Sequence, residues 1–340
     1  MNRSRIKRFV FLMILLPGMI IGSENRKIAQ TGFQFLSVIP DAVGASLAGA
    51  MTALNTGSRG LFYNPAGMAT QLRRIDVSVT DLDWIAGIKH TGITLSVRPS
   101  NGKYGVIGMS VQNVNYGDLQ GTMVWDNELG YIDTEVFRPT ALSLGLGYSK
   151  VLNDQLSIGG QVKSAHQYLG RNVVLQTDTS STLENSSASA IAFDFGTIFS
   201  TGWKGFTFGM SVRNFSEEIE YFDESFQLPL TFVLGASINV MEVFSFDGRY
   251  QDLHLSVDAS HPRSFDEQFG VGLDYVILDL IHFRLGYLGN YDQRGMAGGF
   301  GIEKSIKGIH VSMNYAYTCL LYTSDAADEG LGVDLGGRRI

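Results

Sequence analysis

The chain has 340 residues, of which 44% are hydrophobic and 17% are charged, and these fractions exclude an intrinsically disordered protein. A net charge of −7 without a basic patch argues against a nucleic acid as partner. Abundant Gly (40), Phe (21) and Tyr (14) with only 7 Pro favour one large β-sheet.

Residues 1–23 are predicted to form a secretory signal peptide. Four basic residues precede an apolar run from Phe9 to Ile21, and small residues follow it. This order is typical of a signal peptide, and the run is shorter than the roughly 20 residues of a spanning helix. After cleavage, a chain without a second long apolar run can enter a membrane only as a barrel.

Residues 24–72 are predicted to form an N-terminal helical plug. Asp41 stands in a capping position before a small, apolar, helix-compatible run that ends at Leu54. Asn64-Pro65 is a turn signal, and Pro65 is expected to open a short helix inside the barrel lumen. The candidate functional residues, which alternatively only shape the plug, are Gly44, Ala45, Gly49, Ala50, Asn64, Pro65, Ala66 and Gly67.

Residues 73–318 are predicted to form an all-β, transmembrane antiparallel β-barrel. Apolar residues such as Leu142, Leu144 and Leu146 alternate with residues that are mainly Gly, Ser, Thr or Asn. Few charges occupy the second face, which fits a barrel lumen better than the water-facing side of a soluble sandwich. The predicted strands span 75–84, 86–98, 103–115, 137–151, 154–169, 188–200, 203–215, 228–240, 243–258, 266–276, 280–288, 295–304 and 308–318.

The connections between these strands alternate in length, which indicates short periplasmic turns and long extracellular loops. The first hairpin, near Trp84, is the exception, because its connection is short although a long extracellular loop is expected there. Bacterial barrels have an even number of strands, so about fourteen are expected, with the last one missing. The long connections are predicted at 116–136, 170–187, 216–227, 259–265 and 289–294.

Residues 319–340 are interpreted as a non-native tail. Gly-rich sequence and two arginines follow a brief alternation, and Ile340 stands where most outer-membrane barrels have an aromatic residue. The stretch is similar to translated sequencing-adapter read-through, in which case Cys319 does not belong to the natural protein. An unusual genuine tail is the alternative.

Two blocks of sequence carry a family resemblance. FLSVIPDAVGASLAGAMTAL at 35–54 and GLFYNPAGMA at 60–69 resemble the start of the PorV/PorQ family of outer-membrane proteins. That family is similar to the FadL group, which are fourteen-stranded barrels with an N-terminal hatch. The resemblance extends over 28–318 and includes 253–262 and 283–303.

The resemblance implies a non-enzymatic component of type IX protein secretion in the bacterial outer membrane. Such a barrel would bind or shuttle the C-terminal signal domains of secreted cargo beside a translocon barrel. The alternative is a FadL-like transporter with a hydrophobic small molecule in its lumen, for which Gly159-Gly160 or Gly298-Gly299 could kink a strand to open the wall. A purely structural barrel or an adhesin is a third class.

No catalytic residue, cofactor or metal is expected. Nucleotide-binding and metalloprotease motifs are absent from the sequence, and the six histidines are scattered along the barrel. Two acidic loops are interpreted as solvated surface; the first could instead bind calcium and the second could dock a basic partner. Their carboxylates are Asp126, Glu128, Asp133 and Glu135 in the first, and Glu217, Glu218, Glu220, Asp223 and Glu224 in the second.

Overall fold

The computed structural model describes residues 31–177, 180–221, 224–244, 250–291 and 294–320. The predicted signal peptide, residues 24–30 of the predicted plug, Asp223 of the second acidic loop and residues 321–340 of the predicted tail lie outside these ranges.

A 13-stranded antiparallel sheet forms the body of the protein, and each of its strands pairs with the strands of this sheet that precede and follow it in the chain. All the predicted strands are confirmed in this order. With strands numbered β1 to β17 along the chain, the sheet contains β1 (Ile75–Asp83), β2 (Lys89–Val97), β3 (Val106–Asn115), β6 (Thr140–Val151), β7 (Leu156–Thr177), β8 (Ser180–Ser200), β9 (Thr207–Phe215), β12 (Thr231–Asn239), β13 (Gln251–Pro262), β14 (Gln268–Ile277), β15 (Ile281–Gly289), β16 (Arg294–Ile306) and β17 (Ile309–Leu320).

The two faces of this sheet have the polarity of a membrane barrel. In β6 the side chains of Leu142, Leu144 and Leu146 are exposed, whereas Ser143 and Ser149 are buried. The apolar face is therefore the outer one, and the small polar face points inward. No helix in the described part of the chain is long and apolar enough to cross a membrane.

The two longest connections between strands of the sheet, 116–139 and 216–230, lie at one end of the barrel, called here the loop end; the opposite end is called the turn end. At the loop end, β4 (Leu119–Val124) pairs with β5 (Tyr131–Phe137), and β10 (Ile219–Tyr221) pairs with β11 (Glu224–Phe226). Both hairpins lie within predicted long loops. Their position agrees with the predicted long loops at 116–136 and 216–227. The predicted alternation is wrong elsewhere, since the predicted short turn at 241–242 is the longer connection 240–250 at the turn end.

Two predicted boundaries are wrong. The long loop at 170–187 is a continuation of β7 and β8, whose ladder extends to Thr177 and Ser180. Its polar residues suggested a loop, but Thr and Val favour strands and a ribbon can pair its backbone without an apolar face. The ninth strand does not begin at 243, because residues Val240–Phe244 form a short helix.

The end strands β1 and β17 are not joined by a ladder in the described residues. Arg73, just before β1, still approaches Glu303 in β16, with 3.5 Å between Nη2 and Oε1. This contact lies at the turn end, and a fourteenth strand between β1 and β17 stays a prediction. Because β17 continues through Cys319, the predicted boundary of the tail lies within this strand.

A buried ion pair organises a bulge between β8 and β9. The Lys163 ammonium lies 2.8 Å from the Asp194 carboxylate, and their side chains are 12% and 1% exposed. Asp194 also accepts a hydrogen bond from the backbone N–H of Asn214, at 2.7 Å. Asn214 has a left-handed φ of 60°, and the pairing register shifts between Phe193 and Phe195. These contacts fix a strand distortion that would otherwise leave polar groups unpaired.

We expect Asp194→Ala to destabilise the barrel by about 3 kcal/mol, because it leaves the Lys163 charge buried without an opposite charge. The unfolding midpoint in urea, measured in detergent, tests this. The matched control is Asp83→Ala, since the Asp83–Lys89 pair is mostly exposed and should contribute less than about 1 kcal/mol. Equal midpoints for the two variants would show that the buried pair contributes no more than the exposed one.

Candidate functional site

The segment 31–72 fills the lumen as the predicted plug. It contains the 3-10 helices Gln34–Ser37, Gly57–Arg59 and Pro65–Met68 and the short α-helices Ala42–Ser46 and Gly60–Tyr63.

The plug passes through the barrel from one end to the other. At the loop end, the backbone N–H of Gly32 donates to the carbonyl of Gln227, at 3.1 Å. The segment leaves at the turn end, where Arg98 donates to the carbonyl of Leu72 at 3.2 Å. Wall and plug are therefore in contact along the whole lumen.

The first helix of the plug is shorter than its sequence suggests. Asp41 caps it as predicted, because its carboxylate accepts a hydrogen bond from the N–H of Gly44 at 2.9 Å. The helix ends at Ser46, since Ala48 and Gly49 adopt left-handed φ angles of 53° and 78°. The helix-compatible run to Leu54 therefore continues as turns that follow the barrel wall.

Inward-facing glycines let the plug backbone lie directly on the wall. A Cβ at Gly159 would lie 2.7 Å from the carbonyl oxygen of Pro65, and one at Gly209 would overlap the carbonyl of Thr52. Contacts of this kind occur on strands from β2 to β16, so the sheet must curve around the plug. The plug-facing glycines are Gly92, Gly108, Gly147, Gly159, Gly196, Gly209, Gly235, Gly270, Gly272, Gly286 and Gly299.

Asn64 joins two parts of the plug to the barrel wall. Its side-chain amide donates to the carbonyls of Thr52, at 2.7 Å, and Thr197 in β8, at 3.0 Å. Its Oδ1 accepts from the N–H of Ala66 at 3.0 Å and caps the helix that begins at Pro65. Asn64 is 1% exposed, so water cannot replace its side chain as a hydrogen-bond partner of these groups.

Asp258 in β13 is the carboxylate that holds the middle of the plug. It accepts hydrogen bonds from the backbone N–H groups of Met51, at 3.1 Å, and Thr52, at 3.0 Å. Sequence reasoning missed this residue. The available signal was an acidic residue on the small, lumen-facing side of a strand, where an ionisable group is costly.

Three further wall residues bond the plug's backbone carbonyls. Gln112 donates to Phe35 and Val38, at 2.9 and 2.7 Å. Ser211 donates to Tyr63 at 2.6 Å, and Arg213 donates to Phe62 at 3.1 Å. Polar lumen side chains therefore replace the water that the irregular plug backbone would otherwise need.

The predicted plug residues fall into two groups. Asn64, Pro65, Ala66 and Gly67 form one structural unit against the wall, and Ala66 is fully buried. Gly44 lies under the phenol of Tyr63, and Gly49 supplies a left-handed turn. Burial, followed by the nearby Asp41, raises the pKa of Tyr63 well above its usual value, so this phenol is neutral. Whether these residues have a role beyond packing stays a prediction.

A cavity of about 20 Å³ lies between plug and wall beside Leu36, Phe62, Lys163 and Arg213, and it fits roughly one water molecule. A larger, apolar cavity of about 430 Å³ lies on the outward face of β8, β9, β12 and β13, beside Phe208.

Two histidines are less isolated than their scattered positions suggested. His282 in β15 contacts Asp274 and Glu303, each at 3.2 Å, and His310 in β17 contacts the same Glu303. These ion pairs join neighbouring strands at the turn end. In the described residues, no group of three or more His, Cys, Asp or Glu side chains has the arrangement of a metal site.

The family of the chain follows from a model that matches residues 60–329. That model describes the type IX secretion system membrane protein PorP/SprF. The chain belongs to the PorP/SprF family. The predicted connection with type IX secretion and with the bacterial outer membrane is confirmed, while the PorV/PorQ name stays a prediction. No curated protein matches this family member at a significant level.

Solved structures show the same fold. The CymD monoaromatic hydrocarbon channel is 11% identical, with a TM-score of 0.50, and the match covers 82% of this chain and 92% of that one. The Pseudomonas putida toluene transporter TodX is 10% identical, with a TM-score of 0.51, covering 86% and 98%. These similarities show a FadL-like β-barrel, as predicted; the family and fold are those of secretion and transport barrels.

We expect Gly159→Ala to displace the plug, because the new methyl group would press on the backbone of Pro65 and Ala66. Gly160→Ala is the matched control, since a Cβ there lies 3.5 Å or more from its nearest neighbours. Ion conductance in planar bilayers should rise for the first variant and stay at the wild-type level for the second. Unchanged conductance for Gly159→Ala would mean that the plug tolerates the shift.

We expect Asn64→Ala to loosen the plug by roughly 2–4 kcal/mol, because it leaves buried carbonyl and N–H groups unpaired. Hydrogen exchange of residues 50–68 should accelerate while that of the barrel strands stays slow. Asn115→Ala, at an exposed position that bonds only the N–H of Gly117, serves as the control. Uniform acceleration of plug and barrel would instead indicate that the two unfold together.

Proposed function

We propose that this PorP/SprF-family barrel binds or shuttles the C-terminal signal domains of secreted cargo at the outer membrane. The observation that carries the proposal is a lumen filled by a bonded plug in a member of a type IX secretion family. A barrel closed in this way is suited to recognising proteins at its outer surfaces. The PorV/PorQ resemblance of residues 35–54 and 60–69 supports the cargo-binding role within this system.

The alternative is a transporter of hydrophobic small molecules. Its support is the function of two barrels of the same fold, a hydrocarbon channel and a toluene transporter. A ligand of that class needs an apolar space of several hundred Å³. The cavity beside the plug holds about 20 Å³, and the apolar cavity of about 430 Å³ beside Phe208 and Leu234 lies on the outward face of the wall, away from the lumen. Transport would therefore require the plug to leave or to rearrange.

The predicted kinks at glycine pairs do not support such an opening. Gly159 and Gly299 face the plug, and the ladders on both sides of Gly159-Gly160 and of Gly298-Gly299 continue without a register shift. The shifts lie elsewhere, for example between Phe193 and Phe195.

Deletion of the gene in its host, followed by isolation of the tagged protein from outer membranes of a complemented strain, tests the proposal. We expect deletion to trap cargo in the periplasm, and the tagged barrel to co-purify with proteins that share one C-terminal domain. The Gly160→Ala variant should restore secretion. Normal secretion after deletion, together with recovery of the barrel bound to an apolar small molecule, would favour the transporter.

A further inference from the structure

The β4–β5 hairpin carries a group of exposed apolar side chains at the loop end of the barrel. The exposed fractions are 88% for Val124, 53% for Trp125, 72% for Leu129 and 46% for Tyr131. Val124 and Tyr131 pair directly across the hairpin, so they lie on one face. A contiguous apolar group on a protruding loop is typical of an interaction site, whereas scattered single residues are not.

The tip that presents these side chains is held by its own hydrogen bonds. Asn127 donates from its side chain to the carbonyl of Tyr131 and accepts from the N–H of Leu129, both at 3.0 Å. The N–H of Trp125 bonds the carbonyl of Gly130 at 3.1 Å, which closes the turn. A tip that is already ordered loses little conformational entropy on binding.

Charge indicates what kind of surface the tip fits. Between residues 116 and 139 the chain has five carboxylates and one basic residue. That basic residue, Arg138, pairs with Asp118 at the base of the hairpin, with 3.0 Å between Nη2 and Oδ2. Asp126 and Glu128 therefore give the tip a negative field around its apolar group. An anionic lipid surface would repel such a tip, whereas a basic protein surface would attract it.

We propose that the β4–β5 tip is a docking element that inserts Trp125 and Leu129 into an apolar pocket of a protein partner with a lysine- and arginine-rich rim. Aromatic and aliphatic anchors surrounded by complementary charges are the usual arrangement of an interface hot spot. The inference rests on the proposed function in one respect, since a barrel that works in protein secretion needs protein partners. It differs from that function in assigning a surface and the chemistry of the partner.

Site-specific photo-crosslinking in the host, with the full-length protein, tests the inference. A photo-reactive amino acid replaces Leu129 in one strain and Met123 in another. Met123 pairs with Ile132 on the opposite face of the same hairpin and is the matched control. We expect a protein adduct from position 129 and roughly tenfold less from position 123. Mass spectrometry should place the crosslink beside lysine or arginine residues of an identified partner.

Charge reversal then tests the electrostatic part. The double substitution Asp126→Lys/Glu128→Lys should reduce the adduct roughly tenfold, and reversing the basic residues at the partner's crosslinked site should restore it. Retention of a folded barrel, seen as unchanged electrophoretic mobility without heating, excludes misfolding as the cause. An adduct with lipopolysaccharide alone, equal adducts from both positions, or indifference to charge reversal would each overturn the proposal.

Secretion measured in the same strains separates the two proposals. Intact secretion after gene deletion contradicts the cargo-binding function, whatever the crosslinks show. If deletion blocks secretion but the strain with the charge-reversed tip secretes and crosslinks like wild type, only the proposal of a docking element is wrong.

Discussion

The structure depends on close contact between an irregular backbone and the inside of a barrel. Plug segments without long helices carry carbonyl and N–H groups that water cannot reach in the lumen. Two properties of the wall meet this requirement. Glycines allow the plug backbone to lie close to the wall. Polar side chains such as Gln112, Ser211 and Asp258 form hydrogen bonds with the plug's backbone carbonyl and N–H groups. Both must be present together, because close approach without partners would leave buried polar groups unpaired.

This arrangement explains the composition of the inner face. Small polar residues there suit a water-filled channel in general, but here they are the contact surface of a solid interior. Asn64 shows the principle in one residue, since it bonds the plug to itself and to β8. The same tight contact makes a passage for solutes dependent on moving the plug. For a family associated with protein secretion, surfaces at the ends of the barrel are therefore the more accessible places for recognition.

The loop end offers such surfaces on two hairpins that extend beyond the barrel wall. The β4–β5 hairpin and the extended β7–β8 ribbon are built from backbone pairing with neighbours in the same hairpin. Ribbons of this kind can vary in sequence without disturbing the barrel, because few lumen contacts depend on them. At the turn end, in contrast, ion pairs such as Arg73–Glu303 tie the plug's exit to the wall near the two edge strands.

Several features of the fold are predictable because local chemistry alone produces them. Period-two alternation identifies the strands of the sheet. Asp41 is recognisable as a helix cap, and Asn64-Pro65 as the turn before a short helix, because both depend on nearby backbone groups. The loop predicted at 170–187 is wrong, since pairing within a hairpin is not visible in polarity alone. Asp258 escapes sequence reasoning, because its partners at Met51 and Thr52 are more than 200 residues away.

The sequence by itself determined the class of fold, the sidedness of the strands and the presence of a separate segment before the barrel. Each follows from a repeat or a motif that a few adjacent residues define. Only the tertiary structure decided which glycines touch the plug, which carboxylate holds it and how little space remains in the lumen. Those properties arise when curvature of the sheet brings distant residues within bonding distance, and no local pattern encodes that distance.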